Sequence, residues 1–167
     1  MDFFDTIEKR YSVRGYTDEP VSKEDLDKIL DAAALAPTGV NYQPFKVYVI
    51  DTNKNAESLK KVYPAEWFLQ APIVLCVAVN TKEAWTRKFD NKNIADIDGT
   101  IVMDHIILAA TALGLGTFYI ANFNPEEAEK LIDSHEYIPL LFTPLGHIDA
   151  EKRQQTKKTK EELTEYI

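Results

Sequence analysis

Helices and strands alternate along this chain, and its composition and apolar patterns predict one domain with helices packed against a sheet. The chain has 167 residues, of which 45% are hydrophobic and 28% charged, as in an ordinary globular protein. A continuous apolar run at Ile73–Val79 indicates a central strand covered on both faces. Apolar residues at helical spacing separate this run from the other strands. On this alternation alone, we expect a doubly wound sheet of parallel strands.

The first half of the chain is predicted to contain two helices and a strand. Asp2–Lys9 has a short amphipathic pattern with acidic residues at its start, where they complement the helix dipole. Ser22, followed three residues later by Asp25, resembles a capping box and precedes a second helical pattern. Phe45–Asp51 alternates between its two faces, as a strand does.

The second half of the chain continues the alternation. Ile101–Leu113 is apolar on almost every side, which predicts a helix buried all round, at the centre of the domain or at a subunit interface. Ile138–Leu145 is predicted to be a strand, and its two prolines favour an edge or irregular position. The other predicted elements are a helix at Asn55–Val62, a strand at Thr117–Ile120 and a helix capped by Asn124.

The charge and the cysteine content argue against several classes of function. The formal net charge of −8 opposes general binding to nucleic acid or to a membrane surface. Cys76 is the single cysteine and lies in an apolar run, so we expect a buried and inert thiol. Acidic residues stand where a secretory signal would need basic and then apolar ones, and no apolar stretch is long enough to span a bilayer. We therefore expect a cytoplasmic protein.

A corner rich in polar groups joins the second helix to the first strand, within the range Ala33–Phe45. Gly39 would let a flat ligand lie close to the main chain. Thr38, Asn41 and Gln43 supply uncharged groups that both donate and accept hydrogen bonds, which suits a neutral heterocycle. The same residue types also make an ordinary helix-to-strand turn, and the pattern leaves both interpretations open.

Two groups of cations are notable in a chain with a net negative charge. Arg10 and Arg14 share a face if their segment is helical, and Ser12 joins them if it is extended, so these side chains suit a phosphate monoester. Alternatively, the cations complement the end of the first helix. A basic tail follows Asp149, and it either completes the same site or is a solvated charge run.

The sequence contains no evident catalytic group. His105, His135 and His147 are not spaced as metal ligands, so we expect no metal site. No Gly-x-Ser-x-Gly motif or P-loop occurs, and Gly114 and Gly116 precede a predicted strand rather than a helix, the reverse of a dinucleotide fingerprint. Any catalysis should therefore be carried by a bound cofactor.

Several motifs together resemble the nitroreductase family of flavoenzymes. They are, in order, RYSVR at 10–14, APTGVNYQPF at 36–45, Ala71-Pro72 before the apolar strand, and LGLGT at 113–117. The resemblance covers nearly the whole chain, and we expect a single domain over 1–167. It implies an α+β fold, with a mixed and mostly antiparallel sheet flanked by helices, in an intertwined homodimer with FMN at two sites between subunits. The tail at 149–167 would pack on the partner subunit.

The resemblance also implies which residues bind FMN. The cations near the amino terminus, with Ser12, would hold the phosphate and the ribityl chain, and tail lysines would reach the phosphate. The polar corner would come from the other subunit to meet the isoalloxazine ring, and the backbone at 119–122 would line the ring near its reactive nitrogen. The candidate cofactor-binding residues are Arg10, Tyr11, Ser12, Arg14, Pro37, Thr38, Gly39, Asn41, Gln43, Tyr119, Ile120, Ala121, Asn122, Lys157 and Lys158.

The activity that the resemblance implies is that of an FMN-dependent oxidoreductase with a ping-pong mechanism. NADH or NADPH would give a hydride to FMN, and the reduced flavin would pass electrons to a small acceptor such as a nitroaromatic or a quinone. The chemistry would lie on FMN and not on a catalytic side chain. The alternatives are a flavin-binding protein that stores or senses FMN without turnover, and a family offshoot with another flavin reaction, such as dehalogenation or dehydrogenation. No motif specifies the acceptor or the preferred donor.

The chain departs from the family pattern at several positions. Phe45 replaces a common tryptophan and Thr38 a common serine, and both changes retain the chemistry. Lys157 replaces an arginine and loses its bidentate geometry. Ala121-Asn122 replaces a Glu-Gly pair, so contacts with the ring there would be main-chain or altered. The chain also lacks the longer helices that many relatives insert over the active site, which leaves its substrate range open.

Overall fold

The structure, a computed structural model, describes residues 2–153 and 155–167. These residues form a three-stranded sheet with helices on both faces. The helices are Phe3–Lys9 (α1), Lys23–Ala34 (α2), Thr52–Val62 (α3), Ala95–Ala112 (α4), Pro125–Ile132 (α5) and Lys160–Leu163 (α6). The strands are Phe45–Asp51 (β1), Ile73–Val79 (β2) and Ile138–Leu145 (β3). Short 3₁₀ turns, Gly39–Asn41 and Glu66–Leu69, precede β1 and β2.

The sheet is antiparallel, with β2 between β1 and β3. Phe45 pairs with Val79 at one end of the β1–β2 ladder, and Asp51 pairs with Ile73 at the other. The doubly wound parallel sheet expected from the alternation alone is therefore wrong, because the connection through α3 brings the chain back beside β1 in the opposite direction. The α+β fold that the family resemblance implied is confirmed.

Strand β2 is buried along almost its whole length, as predicted for a central strand. Leu75 and Val77 pack into a core with α2 and α4, whereas Val74 and Cys76 belong to a second core with α3 and α5. The alternation of a strand thus supplies apolar side chains to both faces of the sheet. Burial also raises the pKa of the Cys76 thiol, as expected for an inert cysteine.

The segment predicted as a further strand, Thr117–Ile120, forms isolated bridges and not a continuous ladder. Ile120 exchanges both backbone hydrogen bonds with Phe142 of β3, each at 3.0 Å. Thr117 pairs in parallel with Ser12. The segment is therefore fixed to the sheet at separate points, although it does not qualify as a strand.

Strand β3 has the irregular pairing predicted from its prolines. Its register against β2 shifts between Val77 and Ala78, where Ala78 is paired with Pro139. A proline cannot donate to the ladder, so a bulge beside it accommodates the missing hydrogen bond.

Helix α4 is longer than predicted and is not buried all round within one chain. It begins at Ala95, ahead of the predicted start at Ile101. Met103 is fully buried, whereas Asp104 is exposed and Leu108 is only partly buried. A central position within one chain therefore does not bury α4 on every side, and part of its outer face remains accessible, as the subunit-interface alternative requires. No helix in the described part of the chain is long and apolar enough to cross a membrane.

Side-chain caps begin several helices. Ser22 Oγ accepts the backbone N–H three residues later at 3.0 Å, and Asn124 Oδ1 does the same at 3.3 Å, as the sequence predicted. Asp51 Oδ1 accepts an N–H of the next helix at 3.1 Å. This unpredicted cap explains why α3 begins at Thr52 and not at Asn55.

Replacing Gly99 by alanine tests how closely α4 packs on the sheet. A Cβ at Gly99 would lie 2.5 Å from Leu140 Cδ2 and 2.6 Å from Val79 Cγ1. We expect Gly99→Ala to lower the free energy of unfolding by about 1–3 kcal/mol in urea denaturation, although alanine has the higher helix propensity. Thr100→Ala, at the exposed neighbouring position, is the control and should change it by less than about 1 kcal/mol. A Gly99→Ala protein as stable as the parent would contradict this close packing.

Candidate cofactor-binding site

The segment that follows α1 is extended and is anchored beside Thr117. Arg10 caps α1 with φ −57° and ψ 129°. The Val13 N–H donates to the Thr117 carbonyl at 3.0 Å, and the Val13 side chain is 1% exposed. Because neighbouring side chains of an extended chain point to opposite sides, Ser12 and Arg14 point away from the side on which Val13 is buried.

Arg10 lines a cavity of about 780 Å³ between α1 and the tail. The cationic residues of its lining are Arg10, Lys152, Arg153 and Lys157. Tyr11 also contributes, so three of the predicted residues meet here. A cluster of cations in a chain with a formal net charge of −8 makes a local site attractive to anions. We call this space the cation cavity.

Hydrogen bonds hold the start of the tail against the same segment. Tyr11 Oη donates to the Ala150 carbonyl at 2.8 Å, and Lys152 Nζ donates to the Glu8 carbonyl at 2.9 Å. The last part of the tail is exposed, including Lys158, which does not line the cation cavity. The beginning of the tail is thus a fixed wall of the cavity.

Arg14 lies in different surroundings from Arg10. Its guanidinium is 4.5 Å from the ring centroid of Phe118 and 6.0 Å from that of Trp67. These two rings contact each other, with centroids 4.8 Å apart. The electron-rich faces of aromatic rings stabilise a cation in this position. Neither Arg14 nor Ser12 therefore joins Arg10 in the lining of the cation cavity.

The polar corner is a tight loop with a strained backbone, and we call residues 37–44 the corner loop. Val40, Asn41 and Gln43 have positive φ angles of 54°, 59° and 53°. A β-branched residue such as Val40 seldom adopts this conformation, which costs about 1–3 kcal/mol. The Gln43 N–H donates to Thr38 Oγ1 at 3.0 Å and helps to close the turn. Strain of this kind indicates a functional constraint on the corner.

Most side chains of the corner loop face solvent. Pro37, Asn41 and Gln43 are exposed, and Thr38 and Gly39 are partly exposed. None of these residues lines the cation cavity. The two groups of predicted residues, cationic and uncharged, therefore lie apart within one chain.

A buried carboxyl group that the sequence analysis did not single out lies beneath the corner loop. Asp98, on α4, is 1% exposed, and its Oδ1 accepts the Gly39 N–H at 2.9 Å. Its Oδ2 is buried without a hydrogen-bond partner among the described residues. Ile94 and Trp85 confine Gly39 as well, since a Cβ at this glycine would lie 3.2 Å from the Trp85 Cβ and closer still to Ile94. An acid near the start of an otherwise apolar helix was the only signal in the sequence.

Tyr119 lies near both α4 and Arg10. Its hydroxyl donates to the Thr100 carbonyl at 3.1 Å. Burial is the main cause that raises the pKa of Tyr119 to about 12, Asp104 raises it further, and Arg10 opposes both. Tyr119 therefore stays protonated at neutral pH, and its hydroxyl lies within electrostatic range of Arg10.

The three residues after Tyr119 differ in how exposed they are and in whether their backbone groups are paired. Ile120 is 2% exposed, and its N–H and carbonyl are both paired with Phe142. Ala121 and Asn122 are exposed. Backbone groups at these two positions are therefore the accessible part of the segment predicted to line a ring.

Relieving the positive φ of Val40 should stabilise the protein. Asparagine tolerates this conformation far better than valine, so we expect Val40→Asn to raise the free energy of unfolding by about 1 kcal/mol in urea denaturation. Val49→Asn is the control, because Val49 is also exposed but lies in β1 without a positive φ. This control should destabilise the protein, because asparagine is disfavoured in strands. A Val40→Asn protein no more stable than the parent would contradict the strain assigned to Val40.

Comparisons with known proteins agree with this architecture. Residues 7–67 and 56–147 match the model of the nitroreductase family. The chain is 29% identical over 185 residues to a Bacillus subtilis (strain 168) protein named as an FMN reductase that uses NAD(P)H, with 93% of this chain and 74% of that one covered. A nitroreductase family protein from Clostridium difficile 630 shares the fold with a TM-score of 0.91 at 34% identity, over 99% of this chain and 98% of that one. A protein from Exiguobacterium sibiricum 255-15, solved in complex with FMN, also shares the fold. Its TM-score is 0.86 at 19% identity, over 100% of this chain and 98% of that one. Because the family model spans most of the chain and the fold agrees, this chain belongs to the nitroreductase family.

Proposed function

We propose that this chain is an FMN-dependent oxidoreductase that takes a hydride from NADH or NADPH and reduces a small acceptor, such as a nitroaromatic or a quinone. Membership of the nitroreductase family supports this class of reaction, as does the name of the Bacillus subtilis relative. The observation that carries the proposal is the cation cavity beside α1. We infer that residues 1–167 form one domain and that two chains assemble as a homodimer.

The cation cavity fits the phosphate end of FMN by the chemistry of its donors. A phosphate monoester carries nearly two negative charges at neutral pH and accepts several hydrogen bonds. Arg10 and Lys157 supply charge-assisted donors, and Lys152 and Arg153 add to the predicted set, against the single acid Glu8 in the lining. We keep Ser12 and Arg14 as candidates for the ribityl chain, since they lie on the same extended segment.

The corner loop fits the ring end of FMN. Thr38, Asn41 and Gln43 offer uncharged donors and acceptors to the pyrimidine edge of the isoalloxazine. Ile94 and Trp85 fill the space beside Gly39, so a flat ring would approach the loop from its solvent side, where Pro37 is exposed. Because no residue of the corner loop lines the cation cavity, we propose that the loop serves the flavin of the partner subunit.

When bound, FMN would supply the redox chemistry, accepting a hydride from the nicotinamide and giving electrons to the acceptor. The residues of the chain would bind and orient the cofactor and the substrates and exclude water from them. The pairing of Ile120 with Phe142 fixes the neighbouring backbone of Ala121 and Asn122, which would line the edge of the ring. We propose ping-pong kinetics, in which the oxidised donor leaves before the acceptor enters the same site.

Exposed apolar side chains support the proposed homodimer. Phe3 and Phe4 on α1 are 62% and 80% exposed, and Leu163 and Tyr166 in the tail are 66% and 92% exposed. Apolar groups grouped on one helix and one tail mark surfaces that another protein surface covers. We propose that the tail at 149–167 packs on the partner subunit, beside the cofactor site.

Substitution of Arg10 tests the phosphate assignment. A hydrogen bond to a charged group contributes about 1.5–3 kcal/mol, so Arg10→Ala should weaken FMN binding roughly 10–100-fold in calorimetric titration of the apoprotein. Riboflavin, which lacks the phosphate, should bind the variant and the parent alike. Lys60→Ala removes an exposed cation on α3 and should leave FMN affinity at the parent value. Unchanged FMN binding by Arg10→Ala would refute the assignment.

Activity of the purified protein tests the reaction. We expect a yellow dimer that oxidises NADH or NADPH steadily only when an acceptor is present, with parallel double-reciprocal plots when both substrates are varied. The screen should combine both donors with nitroaromatic and quinone acceptors.

Each contrary result of this screen points to a different function. A yellow protein that neither donor reduces would overturn the proposal and favour storage or sensing of FMN. Turnover limited to dehalogenation or ring dehydrogenation would indicate another flavin reaction. A colourless monomer that binds no FMN would exclude every flavin-dependent function.

A further inference from the structure

Asp98 is a buried acid in the first turn of α4, and its carboxyl group makes one hydrogen bond among the described residues. The side chain is 1% exposed, one carboxyl oxygen accepts the Gly39 N–H, and the other is buried without a partner among the described residues. Burying a polar oxygen without a hydrogen bond opposes folding. An apolar side chain of similar shape would fill the same space without that cost.

The hydrogen bond of the Asp98 carboxyl group reaches the strained part of the corner loop. Gly39 is followed directly by Val40 and Asn41, both with positive φ. Strained backbone persists only where the surrounding structure holds it in place. Trp85 limits how far Gly39 can move, but a steric contact of this kind does not orient the Gly39 N–H group. The Asp98 carboxyl supplies the directional contact, since it fixes where the Gly39 N–H points.

We infer that Asp98 is a positioning residue for the flavin ring. Its Oδ1 holds the Gly39 N–H, and the corner loop therefore presents Thr38 and Asn41 in one arrangement to the isoalloxazine. This inference rests on the proposed function and adds a residue that does not itself touch the cofactor. Helix α4 makes a suitable support, because its buried residues, such as Met103, fasten it to the sheet.

Two substitutions of Asp98 distinguish the effect of its hydrogen bond from the effect of the volume that its side chain fills. Asp98→Asn keeps an oxygen that can accept the Gly39 N–H, whereas Asp98→Leu keeps a branched side chain of related shape and removes the acceptor. We expect Asp98→Asn to bind FMN within about twofold of the parent, and Asp98→Leu to bind it roughly 5–20-fold more weakly, as for loss of one hydrogen bond. The melting temperature of the flavin-free Asp98→Leu protein should change by only a few degrees, because the unpaired Oδ2 and the acceptor of the Gly39 N–H are lost together. If that variant does not fold, Asp98→Ala takes its place.

Comparing the affinities for riboflavin and FMN distinguishes effects at the ring end of the site from effects at the phosphate end. In Asp98→Leu, the affinities for FMN and riboflavin should fall by the same factor, whereas Arg10→Ala should affect FMN alone. The visible absorption spectrum of the bound flavin should shift in Asp98→Leu and match the parent in Asp98→Asn, because the spectrum reports contacts with the ring.

Three results would overturn the inference. The first is a folded Asp98→Leu or Asp98→Ala protein with the parent affinity and spectrum, and the second is equal impairment in Asp98→Asn. The third is a melting temperature that falls in step with flavin affinity, which would show a structural role. A parent protein that binds no flavin would instead overturn the proposed function and this inference with it.

Discussion

The burial of β2 on both faces is the constraint on which the rest of the structure depends. A strand without a polar face needs helices over both sides and a paired strand along each edge, so that its backbone groups are satisfied away from water. Both segments proposed to face the flavin ring are attached to this arrangement. The Asn80 N–H, just after β2, donates to the Pro44 carbonyl at 2.9 Å and fixes the end of the corner loop. Phe142, in β3, holds Ile120 in the same way.

The two halves of the proposed site depend on different physical effects. The cation cavity attracts its ligand by charge, which acts over several ångströms and tolerates some movement of Lys157 in the tail. The corner loop offers uncharged groups, whose hydrogen bonds require a fixed distance and direction. Under the proposed function, this difference accounts for the backbone strain and the buried Asp98 at the corner loop. A site that must recognise a ring by its edge needs rigid support.

The sequence predicted the features that depend on local patterns. The caps at Ser22 and Asn124 and the buried strand β2 follow from neighbouring residues alone. The direction of the strands did not follow, because periodicity reports which residues face a core and not which way a strand runs; the family resemblance was needed for that. The position of Arg14 and the role of Asp98 depend on contacts with residues distant in sequence, Phe118 and Gly39. Helix α4 contains three acids, and pattern alone cannot distinguish the buried Asp98 from Asp96 and Asp104, which face solvent.

The positions of the tryptophans allow their fluorescence to report the binding of a flavin. The chain contains two, and each lies near a different group of candidate residues. Trp67 is stacked near Arg14 on the cationic side, and Trp85 lies against Gly39 of the corner loop. Flavins absorb where tryptophan emits, so a bound flavin quenches the fluorescence of a nearby indole by energy transfer. Tryptophan fluorescence would therefore report binding of the cofactor without an added label.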